Sequence, residues 1–369
     1  MCDVGTVCVA MRRLLPTVIA LVIAVVFSVY QRDVLGDIFS RLTDIHPLGY
    51  LPLAAAGLVM IVARATFLRS CSPGVTLKNA ITADQSALAA GYGIALGGGA
   101  VGTALRIHMF TRWGLPSQRI GASIVATAVV PSFTTWGLPI ITLFPLILKG
   151  EADNIEQVVF FTAITLVIVS LVFWACALRS EFLFTLTGRI GATLQKLAIR
   201  RLPQRLHRVR QSIALANPRF FSAELRKSII TLLRQRGFHI FGSSALTLTA
   251  AFFCLWTSAT LFGAENLSLY EMLVAFSLVR VLIAVSPIPG AAGIAELGLI
   301  ALLERSGVSA LDATGTTLLY RFVTWFMPIV VGTVLWWRYT HSPKESQNGQ
   351  IHHNSSQHED SGRGIPLHG

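Results

Sequence analysis

Pro287-Ile288-Pro289-Gly290-Ala291-Ala292-Gly293-Ile294-Ala295-Glu296 interrupts an apolar stretch in the second half of the chain, and Gly97-Gly98-Gly99-Ala100-Val101-Gly102-Thr103-Ala104 interrupts one in the first half. Gly290 and Gly293 follow Gly99 and Gly102 by 191 residues. The match resumes two residues out of register, where Arg305-Ser306-Gly307-Val308 answers Arg112-Trp113-Gly114-Leu115. Small residues are common in membrane helices, so the letters gain weight only from the hydropathy around them. Breaks at corresponding places in two halves of a membrane chain point to a binding site at their interface.

That frame is clear. With 53% hydrophobic and 13% charged residues and a mean hydropathy of +0.63, the 369-residue chain has too much apolar surface for a soluble core. It reads as an all-α integral membrane protein. A span needs about 20 apolar residues, and six segments qualify: about 14–30, 47–68, 119–148, 157–178, 237–262 and 313–337. Regions 79–113 and 270–305 differ, because each is broken by a Gly or Pro-Gly motif. Their second arms, about 101–113 and 292–305, would rise only about 20 Å as helices. Both therefore read as re-entrant hairpins, with Gly98, Gly99 and Gly102 forming the first break and Pro287, Pro289, Gly290 and Gly293 the second. Such segments are tolerated where protein or a wet cavity covers their backbone.

Charge orients the expected topology. Between Arg179 and Arg236 lie 13 Lys or Arg against Glu181 and Glu224, a local +11 of the chain's +12. Cytoplasmic loops collect such charge, so 179–236 reads as a cytoplasmic basic loop with both termini on the same side of a cell membrane. The first hairpin then enters from the cytoplasm and the second from outside. The shift that aligns the glycines carries 47–68 onto 238–259 and 119–148 onto about 312–341. An inverted repeat is expected, repeat A over about 47–148 and repeat B over about 237–338, inside a membrane domain of residues 1–340. Arg12-Arg13 and the apolar run to Tyr30 read as a retained first helix, with Met11 an alternative start. The histidine-bearing tail 341–369 reads as disordered and polar.

Ionisable groups inside a membrane cost at least about 2.5–3.5 kcal/mol each, so each needs a partner, water or a function. The candidates are Asp84, Arg106 and His108 in the first broken region, Arg280 and Glu296 in the second, and Arg321 eight residues into the last helix. Three arginines against two carboxylates leave net positive charge. A guanidinium fork suits phosphate oxygens, which makes a phosphate-bearing lipid headgroup the natural ligand. Two readings of Glu296 stand side by side: a member of that site, or a tie to Arg321 or Arg280 that only holds helices together. His108 by itself is more commonly a structural hydrogen-bonding residue than a proton shuttle.

The five cysteines are scattered without metal-ligand or disulfide spacing, so neither metal nor cofactor is implied. The basic stretch from Arg200 to Arg210 suits an anionic leaflet or a partner protein; positive-inside bias accounts for it without nucleic acid.

Pro289-Gly290-x-x-Gly293-x-x-Glu296, then Gly307-Val308 and Leu318-Leu319-Tyr320-Arg321, resemble the C-terminal signature of the lysylphosphatidylglycerol synthase transmembrane-region family, a flippase-like domain. Gly99-x-x-Gly102-x-Ala104-Leu105-Arg106 is similar to its first motif. The resemblance covers most of 14–338 and implies movement of lipid across the bilayer; the buried arginines make an anionic phospholipid or polyprenyl-phosphate-type lipid the expected substrate. Many relatives place an acid where this chain has Thr103 and Ala104, so a charged pair in the first hairpin does not carry over. The rival expectations are a membrane-embedded enzyme acting on lipid phosphates, and an accessory protein that recruits a partner through its basic loop.

Overall fold

The computed structural model describes residues 32–94, 98–180, 223–263, 267–286 and 291–341. The expected first helix at 14–30, most of the basic loop, the tail beyond His341, and the break residues Pro287, Pro289 and Gly290 lie outside the described residues.

Among those described, only helices and turns occur. In chain order they are α1 (Arg32–Asp44), α2 (Leu51–Cys71, entered through a 3-10 turn at Pro47–Tyr50), α3 (Leu77–Gly93), α4 (Gly98–Arg112), α5 (Ser117–Lys149), α6 (Asn154–Arg179), α7 (Ala223–Leu261), α8 (Leu269–Val285), α9 (Ile294–Arg305), α10 (Ala310–Arg321) and α11 (Met327–His341). A π-helical turn at Phe322–Phe326 joins the last two. Five of these bodies are long and apolar enough to cross a membrane: Pro47–Cys71, Ser117–Lys149, Asn154–Arg179, Glu224–Leu261 and Ala310–His341. They coincide with five of the six expected spans.

Local sequence sets the helix starts. The Thr76 hydroxyl accepts from the Asn79 amide at the head of α3, and Ser309 does the same for Asp312 at the head of α10. Ser268 and Glu271 cap each other's backbone at the start of α8, and the Ser268 hydroxyl, then its amide, hold the Glu271 carboxyl below its usual range. Helix α5 runs on through Pro131, Pro139 and Pro145.

The helices α3, α4, α8 and α9 have 17, 15, 17 and 12 residues. At 1.5 Å per residue none reaches the roughly 30 Å of a hydrocarbon layer. They pack as two pairs, α3 on α4 and α8 on α9. The order helix, short pair, long helix thus occurs twice, and its ends keep step: Leu77 and Gly93 of α3 stand 192 residues before Leu269 and Val285 of α8. Packing between the halves is reciprocal. The first helix of one lies on the first helix of the other (α2 on α7), α3 lies on α11, and α8 lies on α5.

Two boundary expectations change. Helix α7 begins at Ala223, so 223–236 belongs to a 39-residue helix and not to a loop. Its Leu225, Ile229 and Leu232 are buried with Cys71, Ala122 and Ala126, and this packing extends the helix beyond its apolar run. Gly98, Gly99 and Gly102, read as the first break, sit inside the first turns of α4. Helix α3 has already ended at Gly93, with Ile94 extended, before these glycines are reached. A Cβ on Gly98 would meet the carbonyl oxygens of Gly91 at 2.5 Å and Ala90 at 2.8 Å, and one on Gly102 would collide with that of Ala87. These two glycines let α4 close onto α3, the usual role of small residues between membrane helices.

Helix α6 is peripheral, with Ile155, Val158, Phe161, Ile168 and Val169 all exposed. The core centres on α7, α8 and α9, where Leu255, Phe276 and Leu299 are closed off beside Tyr320. At one rim Arg305 pairs with Asp153 and Glu156, and Arg41 pairs with Asp312. Both arginines are about half exposed, and pairs open to solvent in this way add about 0–1 kcal/mol each.

Candidate functional site

Between the two halves lies a cavity of about 490 Å³ to which every described helix except α1, α6 and α9 contributes. Its polar lining includes Arg64 from α2, Asp84 from α3, Arg106 from α4, Arg280 from α8 and Arg321 from α10. Hydroxyls surround them: Thr127 and Thr134 of α5, Ser244 and Thr247 of α7, Tyr320 of α10, and Thr324 in the π-helical turn.

Asp84 organises one side. Its carboxylate, 6% exposed, accepts from Arg64 Nε at 3.0 Å and from Arg106 Nη2 at 3.4 Å. Gln85 adds an amide donor at 3.4 Å, and Arg106 Nη1 donates to the Thr127 hydroxyl at 3.3 Å. Two guanidiniums thus share one carboxylate.

Arg321 organises the other side. Its Nε donates to Glu296 Oε1 at 2.5 Å, while Glu296 Oε2 accepts from the Gly293 amide at 2.6 Å. Glu296 therefore caps α9 and anchors Arg321 at once. Gly293 takes φ +84°, a left-handed conformation that suits glycine at this helix entry. Ala291, φ 51° and 1% exposed, is among the described residues the one non-glycine in that region. Its strain lies in the cavity wall. The Arg321 guanidinium also sits 5.6 Å from the centre of the Trp325 ring, a cation–π contact.

Arg280 differs from the other three. It makes no ion pair or hydrogen bond with a described residue, and its Nε is buried without a partner.

The structure brings together four of the six residues expected at the site: Asp84, Arg106, Arg280 and Arg321. Glu296 stands behind Arg321 and does not line the cavity. His108 is exposed and away from it; two residues beyond Arg106 is about 200° around a helix, on the opposite face. Arg64 was missed by sequence reasoning. An arginine inside an otherwise apolar span was the available signal, the same one that singled out Arg321.

A family model for the lysylphosphatidylglycerol synthase TM region matches residues 9–332, a stretch that encloses the whole cavity. The chain belongs to this family. Among curated proteins none matches it. As a member of the lysylphosphatidylglycerol synthase TM-region family with five helices of spanning length and hydropathy, it is a multi-pass membrane protein.

Proposed function

We propose that this lysylphosphatidylglycerol synthase TM-region protein translocates an anionic, phosphate-bearing lipid or lipid-linked precursor across the cell membrane, holding its headgroup among Arg64, Arg106, Arg280 and Arg321. One observation carries the reading: a cavity at the junction of the two halves whose described lining holds four guanidiniums, a belt of hydroxyls and one carboxylate. Guanidinium forks bind phosphate oxygens in pairs, and in a low-dielectric site each contact is stronger than in water.

The two short helix pairs act as re-entrant hairpins that enter from opposite faces, with the basic segment 179–236 and both termini cytoplasmic. Repeat A, about 47–148, and repeat B, about 237–338, then rock about the shared cavity and open it to each leaflet in turn. Acyl chains remain in lipid while the headgroup crosses. Translocation is preferred to an enzyme on lipid phosphates because acid–base chemistry needs a positioned free group. Asp84 is held by two arginines, and His108 is outside the cavity. Recruitment of a partner protein through the basic loop is a separate role.

Purified protein reconstituted into liposomes with labelled phospholipids tests the proposal. Wild-type vesicles should transfer an anionic or polyprenyl-phosphate lipid faster than protein-free ones. Arg321→Ala should slow transfer by roughly tenfold or more, the worth of a charge-assisted hydrogen bond. Glu296→Gln, which keeps a carbonyl oxygen for the Gly293 amide and removes the charge that pairs with Arg321, should retain transfer. Equal loss in both variants would reduce the Arg321 and Glu296 pair to a helix tie. No transfer of any anionic lipid above the protein-free rate would end the proposal.

A further inference from the structure

We infer that the cavity is built for a headgroup carrying two negative charges, a phosphomonoester or a diphosphate, with Arg280 meeting the charge that no carboxylate at the site already holds. The inference rests on the translocation reading for its lipid source and adds to it the charge of the ligand.

Charge balance carries the argument. Among the described residues, Arg64, Arg106, Arg280 and Arg321 face the cavity, and Asp84 and Glu296 are the carboxylates bonded to them. Four positive and two negative groups leave an excess of two. Water-poor surroundings penalise uncompensated charge, so a neutral or zwitterionic headgroup leaves both charges uncompensated and a phosphodiester monoanion leaves one. A dianion balances the site.

The bonding pattern says where the second charge goes. Asp84 is already divided between Arg64 and Arg106. Both oxygens of Glu296 are already engaged, one by Arg321 and the other by the Gly293 amide at the head of α9. Arg280 is left with a buried Nε and no partner among the described residues, and the Nε of Arg106 is likewise buried and unpartnered. The open donors therefore come from both halves of the molecule, Arg106 from the first and Arg280 from the second. Terminal oxygens of one phosphomonoester, or the two phosphates of a diphosphate, can bridge them; a phosphodiester offers only two charged oxygens sharing a single charge.

The test compares short-chain lipids that differ in charge and share their acyl chains. Purified protein in detergent is titrated calorimetrically with dihexanoyl phosphatidic acid and dihexanoyl phosphatidylglycerol, at about pH 8, where a phosphomonoester is close to fully dianionic. Wild-type protein should bind phosphatidic acid about tenfold more tightly, the effect of one extra charge pair in a partly screened site. Arg280→Gln should bring phosphatidic acid down to the affinity of phosphatidylglycerol, and Arg280→Lys, which keeps the charge, should preserve the preference. Equal affinity for the two lipids in wild-type protein overturns the inference, and so does a preference that survives Arg280→Gln. The wild-type comparison decides the charge even where a variant fails to fold. Inorganic phosphate forms a further arm: affinity equal to that of phosphatidic acid upholds the dianion and contradicts the lipid source. Preferential binding without vesicle transfer upholds the dianion and contradicts translocation, so the two readings fail separately.

Discussion

Asp84→Asn is expected to destabilise the protein by about 3 kcal/mol or more, because two guanidiniums lose the carboxylate they share at a buried position. An asparagine oxygen can still accept one hydrogen bond, but it carries no charge. The added repulsion between Arg64 and Arg106 should loosen α2 and α4 from α3 and depress lipid transfer as well. Thermal unfolding in detergent measures the stability loss. Adding Arg64→Met to Asp84→Asn removes one of the stranded charges and should recover at least about 1 kcal/mol, a coupling expected only of residues that interact. If Asp84→Asn unfolds at the wild-type temperature, Asp84 is not the counter-charge of this site.

Gly332→Ala should be the most damaging of the small substitutions. Its Cβ would fall on the backbone carbonyl of Gln85 and lie 2.8 Å from the Ala89 methyl. Backbone cannot swing aside as a side-chain tip can, so α11 must back away from α3. The cost is about 1–3 kcal/mol, and the shift would carry Gln85 and the adjoining Asp84 with it. Gly137→Ala and Gly242→Ala, where nothing lies within 4 Å of the added methyl, should instead be neutral or gain up to about 1 kcal/mol of helix propensity. Unfolding temperatures of the three variants check the contrast. Similar values for all three would mean that α3 and α11 do not approach this closely.

Much of the fold was legible because lipid leaves a coarse signature. Long apolar runs marked the spans, and short runs beside glycine marked α3, α4, α8 and α9. What escaped were features set by packing between helices. Hydropathy cannot extend α7 back to Ala223, since the turns through Arg226 and Arg234 are polar on one face and held by Leu225 and Ile229 on the other. Nor could the letters separate a glycine at a break from one pressed against a neighbour, which is why Gly98 and Gly102 changed roles.

The site was legible where a charge in an apolar setting forced attention, as at Arg280 and Arg321. Arg64 obeyed the same rule but lay in a span whose hydropathy drew the eye instead. His108 failed because nearness in sequence to Arg106 is not nearness in space on a helix. The π-helical turn at Phe322–Phe326, which brings Thr324 to the cavity and Trp325 beneath Arg321, has no sequence signal that the chain displays. Such turns recur at functional sites.

The central claim is that the guanidinium-lined cavity holds an anionic lipid headgroup. Native mass spectrometry of the protein purified from its membrane, followed by identification of the lipid it retains, tests this most directly. The account predicts a phosphate-bearing anionic lipid enriched above its share of the surrounding membrane, with the enrichment lost in Arg321→Ala. A retained lipid profile that mirrors the membrane, and that is the same in wild-type and Arg321→Ala protein, would contradict it.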